Sequence, residues 1–247
     1  MLLKKGCLDM KTTPSSYSPG HAFIDTFVAP TELFARFKTS LPWAKWGAVM
    51  LFAVVLLSNI YFFSMMSSQW LLDQQMAQAG YLSASERPQV EAMLKSLLPY
   101  TGIYMGISNV LAIVSQILLL GLAYWLLQSF MLRQAQFTLW QWVNVVIVCQ
   151  LPWIANYLGL ALLTLSAADH NLPLSMLEYA SLNQLFLHLD PHTALYPLAS
   201  EINLFHFWSL GLVATAVHRC LHVSWFASIV FAAIPYAMLA VAWAGIA

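Results

Sequence analysis

The sequence predicts an all-α, polytopic membrane protein: a bundle of five transmembrane helices preceded by an N-terminal interfacial amphipathic helix. Three observations predict it. The 247 residues are 60% hydrophobic and only 8% charged, whereas soluble domains carry about 25% charged residues. The apolar residues gather in long runs, and roughly 20 such residues cross a hydrocarbon layer at about 1.5 Å each. The Lys and Arg residues fall mostly on one side of those runs. The formal net charge is zero, which argues against a nucleic-acid partner.

Residues 1–26 read as a short cytoplasmic tail and 27–247 as one five-span membrane domain. The opening MLLKKGCLDM lacks an apolar core of signal-peptide length, so no cleaved leader is expected, and Met10 is an alternative start to Met1. Pro30, Thr31 and Glu32 form a helix-start signal. Leu33, Phe34, Phe37 and Leu41 then fall close to one face, with Arg36 and Lys38 nearer the other. This predicts a short helix in the cytoplasmic interface, with Trp43 and Trp46 at headgroup level.

The five spans are placed at about 46–66, 100–130, 139–165, 202–217 and 223–245. None has Asp, Glu, Lys or Arg near its centre, where a charge costs about 2.5–3.5 kcal/mol. The second is longer than a crossing needs, so it tilts or runs beyond the layer. It opens with Gly102 and Gly106, a G-x-x-x-G pair that lets helix backbones approach, here more readily within the monomer than between copies. Pro152 in the third span and Pro235 in the fifth each remove a backbone hydrogen bond and are read as kinks.

Sidedness follows from the cations. Lys4, Lys5, Lys11, Arg36, Lys38 and Lys45 precede the first span. Arg133 lies between the second and third, and Arg219 between the fourth and fifth. Only Arg87 and Lys95 follow the first span, and residues 166–200 contain neither Lys nor Arg. Cations are retained in the cytoplasm, so the N-terminus is expected inside and the C-terminus outside. The outside loops carry two helix signals. Ser85 stands as a cap before Glu86 and Pro88, and Val90, Met93, Leu94, Leu97 and Leu98 form a stripe expected to pack on the bundle. Leu182, Leu185, Phe186 and Leu189 form the second stripe.

Two stretches resemble a known family. FVAPTELFARFKTSLPWAKW, residues 27–46, is similar to the opening segment of the Yip family, the Ypt/Rab-interacting membrane proteins, in its bacterial branch. INLFHFWSLGLVATAVHR, residues 202–219, resembles that family's fourth span, which opens with Asn203, Leu204, Phe205 and Trp208 in this chain. SASERPQVEAML resembles the outside helix of bacterial members. The resemblance implies a five-helix bundle with the N-terminus in the cytoplasm and the C-terminus outside. It also implies family-motif or packing roles for Pro30, Phe34, Trp43, Trp46, Asn203, Phe205 and Trp208. The compact N-terminus and short loops favour a bacterial inner membrane. Eukaryotic members are associated with vesicle traffic and Rab GTPases. The long polar N-terminal region those members often carry is missing here, so a GTPase partner is doubtful.

Polar residues inside spans are the usual place for function. Asn59, Asn109, Gln116, Asn144, Gln150, Asn156 and His206 are present, and interhelical hydrogen bonds are their expected role. His188, Asp190 and His192 on an outside loop, and His218, Cys220 and His222 inside, have metal-compatible types without a recognised zinc spacing, so no metal or cofactor is expected. Cys7, Cys149 and Cys220 imply no disulfide framework. No nucleophile elbow, P-loop or dinucleotide turn is present, so no enzyme is expected. The expected function is a non-enzymatic scaffold or binding protein for membrane partners or lipids, self-association included. The alternative is a small-solute permease or channel.

Overall fold

In hydrocarbon every backbone N–H and C=O must be satisfied within its own segment, so each long apolar run becomes a helix. The structure, a computed structural model, describes residues 18–36, 41–79, 82–131, 137–169 and 171–244. Lys4, Lys5, Cys7, Met10, Lys11, Phe37, Lys38 and Arg133 lie outside the described residues. The helices are α1 (Pro19–Val28), α2 (Pro30–Ala35), α3 (Ala44–Ser64), α4 (Ser68–Gln78), α5 (Arg87–Leu97), α6 (Thr101–Met131), α7 (Leu139–Cys149), α8 (Pro152–Ser166), α9 (Tyr196–Glu201), α10 (Leu204–Leu221) and α11 (Trp225–Ala244).

Among the described residues, four helical runs are long and apolar enough to cross a membrane: α3, Arg87–Met131, Leu139–Ser166 and α10. Trp225–Met238, within α11, is a shorter apolar fifth. Only 28% to 56% of the apolar window of each long run is buried inside the protein. The remainder includes Leu118, Leu119, Leu122 and Leu126 on α6, and Leu158, Leu162 and Leu165 on α8, all exposed. An apolar surface on this scale requires lipid around it. The fold is therefore the all-α multi-pass bundle the sequence predicts.

Close packing at glycine sets the centre of the bundle. A Cβ on Gly102 would lie 2.9 Å from the Ile60 Cα, and one on Gly106 would lie 3.2 Å from the Leu56 Cα. Both glycines thus face α3, inside the monomer. The seam is closed by Asn109, whose Nδ2 donates to the Asn59 Oδ1 at 3.1 Å, while the Asn59 Nδ2 donates to the Val55 carbonyl. On the other side of α6, Tyr124, Trp142 and Phe231 stack with ring centroids 5.5–5.6 Å apart and join α6, α7 and α11. Pro235 has no N–H for the Phe231 carbonyl, and the Tyr124 hydroxyl donates to the neighbouring Ala232 carbonyl at 2.9 Å.

The third apolar run is two helices. α7 ends at Cys149, and α8 starts at Pro152, whose missing N–H is one the first helical turn leaves unused anyway. Gln150, at the break and 1% exposed, donates to the Tyr236 hydroxyl at 3.3 Å and accepts from the Ser209 hydroxyl at 3.5 Å.

Elsewhere the chain departs from the pattern read in the sequence. Ser83, not Ser85, closes the start before α5: its N–H donates to the Glu86 carboxylate and its Oγ accepts from the Glu86 N–H. α5 buries no residue fully, and Met93 is 56% exposed. Of the predicted stripe, Val90, Leu94 and Leu98 are half-buried, and Leu98 packs against the cluster around Phe62, Phe63 and Leu71. The stripe from Leu182 to Leu189 forms a single π-helical turn, Asn183–Leu187, rather than an α-helix. That turn closes on His188 in the left-handed region, where the Asn183 carbonyl accepts from the His188 N–H at 2.8 Å. The Asn183 side chain also accepts from the Leu189 N–H, and these local bonds compete with a longer helix.

α1 is a further addition: Ser18 caps it, Pro19 starts it, and Ala22 and Thr26 are buried. α1 and α2 lie along α10. Phe27 meets the Trp208 ring edge-on at 5.9 Å, and the Cys220 thiol donates to the Phe34 carbonyl at 3.5 Å.

Candidate functional site

The N-terminal end of α10 gathers several polar groups in the apolar bundle. Asn203 caps that helix: its Oδ1 accepts from the Phe205 N–H at 3.0 Å, and its own N–H donates to the His206 Nδ1 at 3.1 Å. An Nδ1 that accepts leaves the proton of a neutral imidazole on Nε2. The His206 ring stands edge-on to Trp153 at 4.9 Å. The preceding loop is pinned over this cap by an isolated antiparallel bridge between Ser181 and Asn203. Leu182 N–H donates to the Ile202 carbonyl at 2.6 Å, and Leu204 N–H to the Ala180 carbonyl at 2.9 Å. A third tie comes from the Tyr179 hydroxyl, which donates to the Asn156 carbonyl at 3.0 Å. It lies over Gly159, where a Cβ would overlap it.

Beside these ties lies an open cavity of about 380 Å³ between α6, α8, α10 and the loop elements. Its polar lining comes from Asn109 and Gln116 on α6, Asn156 on α8, Glu178 in the 3₁₀ turn Leu174–Glu178, Glu201 at the end of α9, and His206. Trp153 and Tyr157 supply aromatic wall. Helical spacing explains the convergence: Trp153, Asn156 and Tyr157 are three and four residues apart, and Asn109 and Gln116 seven apart, so each set shares a face.

Burial holds the Glu178 carboxyl above its ordinary range, the Ser200 hydroxyl opposes this, and nearby Glu201 adds to it. The Asn156 Oδ1, the Trp153 Nε1 and the Ser200 Oγ are buried without a hydrogen-bond partner among the described residues. Chemically the cavity offers carboxylates, amides and an indole N–H, with neither Lys nor Arg in its described lining.

The residues singled out in the sequence fall into separate groups. Asn203 lines the cavity, Pro152 starts the helix that carries Trp153 and Asn156, and Phe205 and Trp208 stack beside it at 6.1 Å. Gly102 and Gly106 belong to the α3–α6 seam, and Pro235 to α11. Pro30 starts α2, Phe34 and Trp43 are buried, and Trp46 is 64% exposed with the Lys45 ammonium 5.7 Å from its ring centroid. Glu178, Glu201, Trp153 and Tyr157 are site residues that sequence reasoning did not single out. A loop free of Lys and Arg that still carries Glu178 was the available signal.

The histidine groups close turns. Asp190 accepts from the His192 N–H at 2.8 Å, His218 pairs with the Val223 carbonyl at 2.7 Å, and His222 ends α10 in the left-handed region. Among the described residues no group of three or more His, Cys, Asp or Glu could hold a metal ion.

The sequence model of the Yip1 domain matches residues 24–246. The chain belongs to the Yip1 domain family. The match spans all the bundle helices from α2 to α11 and includes every residue that lines the cavity. No curated protein and no solved structure matches the chain. What the Yip1 domain brings is membership of a multi-pass membrane family.

Proposed function

We propose that this Yip1-domain protein is a non-enzymatic membrane component that binds and organises lipids or other membrane proteins. We place it in a bacterial inner membrane, with the N-terminus in the cytoplasm and the C-terminus outside. The observation that carries the reading is the cavity at the start of α10. It collects groups suited to recognition, with three buried polar atoms that lack a partner among the described residues, at the rim of a bundle whose sides face lipid. Orientation rests on the cations: Arg36 and Lys45 stand at the start of the bundle, and Arg219 lies in the last turn of α10, away from the cavity. The test is extraction in mild detergent after membrane crosslinking, followed by identification of bound lipid and protein. Stoichiometric lipid or a reproducible membrane partner supports the proposal.

A second reading, a small-solute permease, is favoured by the helix break at Gln150 and Leu151, which joins the Tyr236 hydroxyl at mid-bundle. Swelling of vesicles containing only this protein, in glycerol, urea or glycine, tests it. Flux that Gln150→Ala or Asn156→Ala abolishes would establish the permease and displace the first reading.

A further inference from the structure

A second, mostly apolar groove of about 610 Å³ adjoins the polar cavity and shares Gln116, Glu201 and His206 with it. It runs between α10 and α11, along Leu198, Ile202, Phe207, Leu210, Ala233 and Ala237. Polar chamber and greasy channel meeting at one corner form an amphiphile-shaped site. We propose that the pair holds one lipid with a primary-ammonium headgroup, of the aminophospholipid class. The ammonium sits between the Glu178 and Glu201 carboxylates, and an acyl chain lies in the α10–α11 groove. This rests on the lipid-binding reading above and narrows it.

The charge pattern selects the headgroup. Two carboxylates face a chamber whose described lining has no Lys or Arg, which repels an anionic headgroup and attracts a cation. Asn156, 4% exposed, leaves its Oδ1 buried without a partner among the described residues. A buried acceptor of this kind calls for a donor. A primary ammonium has three, whereas a quaternary ammonium has none. The Trp153 Nε1 is an orphan donor in the same wall, and a phosphodiester oxygen is the acceptor that suits it. Asn156, Trp153 and Ser200, whose hydroxyl is likewise without a partner among the described residues, all line the chamber, and a zwitterionic headgroup offers a donor and an acceptor to that wall. Burial and the neighbouring Glu201 both hold the Glu178 carboxyl above its ordinary range, and an ammonium beside it would act in the opposite sense.

The experiment is native mass spectrometry of the full-length chain, delipidated in detergent. It is titrated with phosphatidylethanolamine, phosphatidylcholine, phosphatidylglycerol and free phosphoethanolamine. Phosphatidylethanolamine adducts should form at about tenfold lower concentration than the other two lipids, as expected from losing one charge-assisted hydrogen bond. Glu178→Gln with Glu201→Gln should abolish that preference, while Glu91→Gln, outside both cavities, should keep it. Thermal melting of each variant shows that the fold survives, and Glu201→Gln alone, at an exposed position, serves if the double variant does not fold. Equal binding of the three lipids, or an unaffected double variant, overturns the inference. Displacement by free phosphoethanolamine at a concentration equal to that of the lipid also overturns it, because the acyl groove would then add nothing. A preference for phosphatidylglycerol sinks the headgroup assignment and leaves the lipid-binding reading standing. Solute flux with no lipid adduct removes both.

Discussion

Gly102→Ala adds one methyl group where α3 and α6 touch. The new Cβ would lie 2.9 Å from the Ile60 Cα, 3.2 Å from the Asn59 carbonyl oxygen and 3.3 Å from the Phe63 Cβ. The first two are backbone atoms, so no side-chain rotation relieves them. The helices must separate locally by about 0.5–1 Å, enough to forfeit a quarter to a half of each contact along the seam. Overpacking of this kind costs about 1–3 kcal/mol, and the better helix propensity of Ala offsets about 0.5–1 kcal/mol. The expected net loss is about 1–2 kcal/mol, a fall in Tm of about 2–8 °C for a chain of this size. Gly211→Ala is the internal control, because a Cβ there meets nothing within 4 Å. It carries the same propensity gain without the clash and should hold or raise Tm. Thermal unfolding in detergent micelles, followed by far-UV circular dichroism, compares the two. Equal melting of both variants would refute the close-packed seam.

Other outcomes follow from single contacts. Gln128, fully buried, donates to the Phe137 carbonyl at 2.6 Å and accepts from the Phe137 N–H at 3.2 Å, clamping the approach to α7. Gln128→Leu should lower stability by about 1–3 kcal/mol, read from the same melts. A double-mutant cycle of Asn59→Ala and Asn109→Ala should return a coupling of about 0.6–2 kcal/mol across the α3–α6 hydrogen bond, and additive losses would contradict it. Glu178 has its carboxyl raised above the ordinary 4.5 by burial, so the folded state holds the proton more tightly than the unfolded chain. Its contribution is therefore present below pH 4.5 and lost as pH rises through the raised value. Glu178→Gln should flatten stability over that window, measured as Tm against pH. Glu91→Gln breaks only an exposed 2.7 Å pair with Lys95 and should leave Tm nearly unchanged.

The lipid-crossing runs were legible because hydrocarbon leaves the backbone one solution, and composition alone marks where that solvent lies. Pro152 is legible as a kink for a similar reason, since a missing N–H has a fixed consequence, but the structure makes it the start of a separate helix. The Gly102–Gly106 spacing named a close approach, although only the structure shows which helix comes near. Loop elements were less legible. The stripe from Leu182 to Leu189 has helical spacing, yet Leu185, Phe186 and Leu187 remain 41%, 69% and 48% exposed, and with no surface to pack on the pattern has little force. The stripe of α5 packs only in part, through Leu98 against the cluster around Phe62 and Phe63.

α1 was signalled by Ser18 and Pro19, but its ten residues are polar enough at Asp25 and His21 to read as tail. The cavity was hidden for a topological reason. Asn109, Asn156, Glu178, Glu201 and His206 are far apart in sequence, and the bridge between Ser181 and Asn203 together with the Tyr179 hydroxyl draws the loop over them. Their individual chemistry was visible, but their meeting depended on contacts that no local pattern encodes.

The proposed orientation has an odd number of crossings and puts the carboxylate cavity and the C-terminus on the face opposite the N-terminal cations. Paired fusions after Ala247, one to alkaline phosphatase and one to green fluorescent protein, read this out in a bacterial host. Phosphatase activity with a dark fluorescent fusion is the predicted result. A bright fluorescent fusion with inactive phosphatase would contradict it.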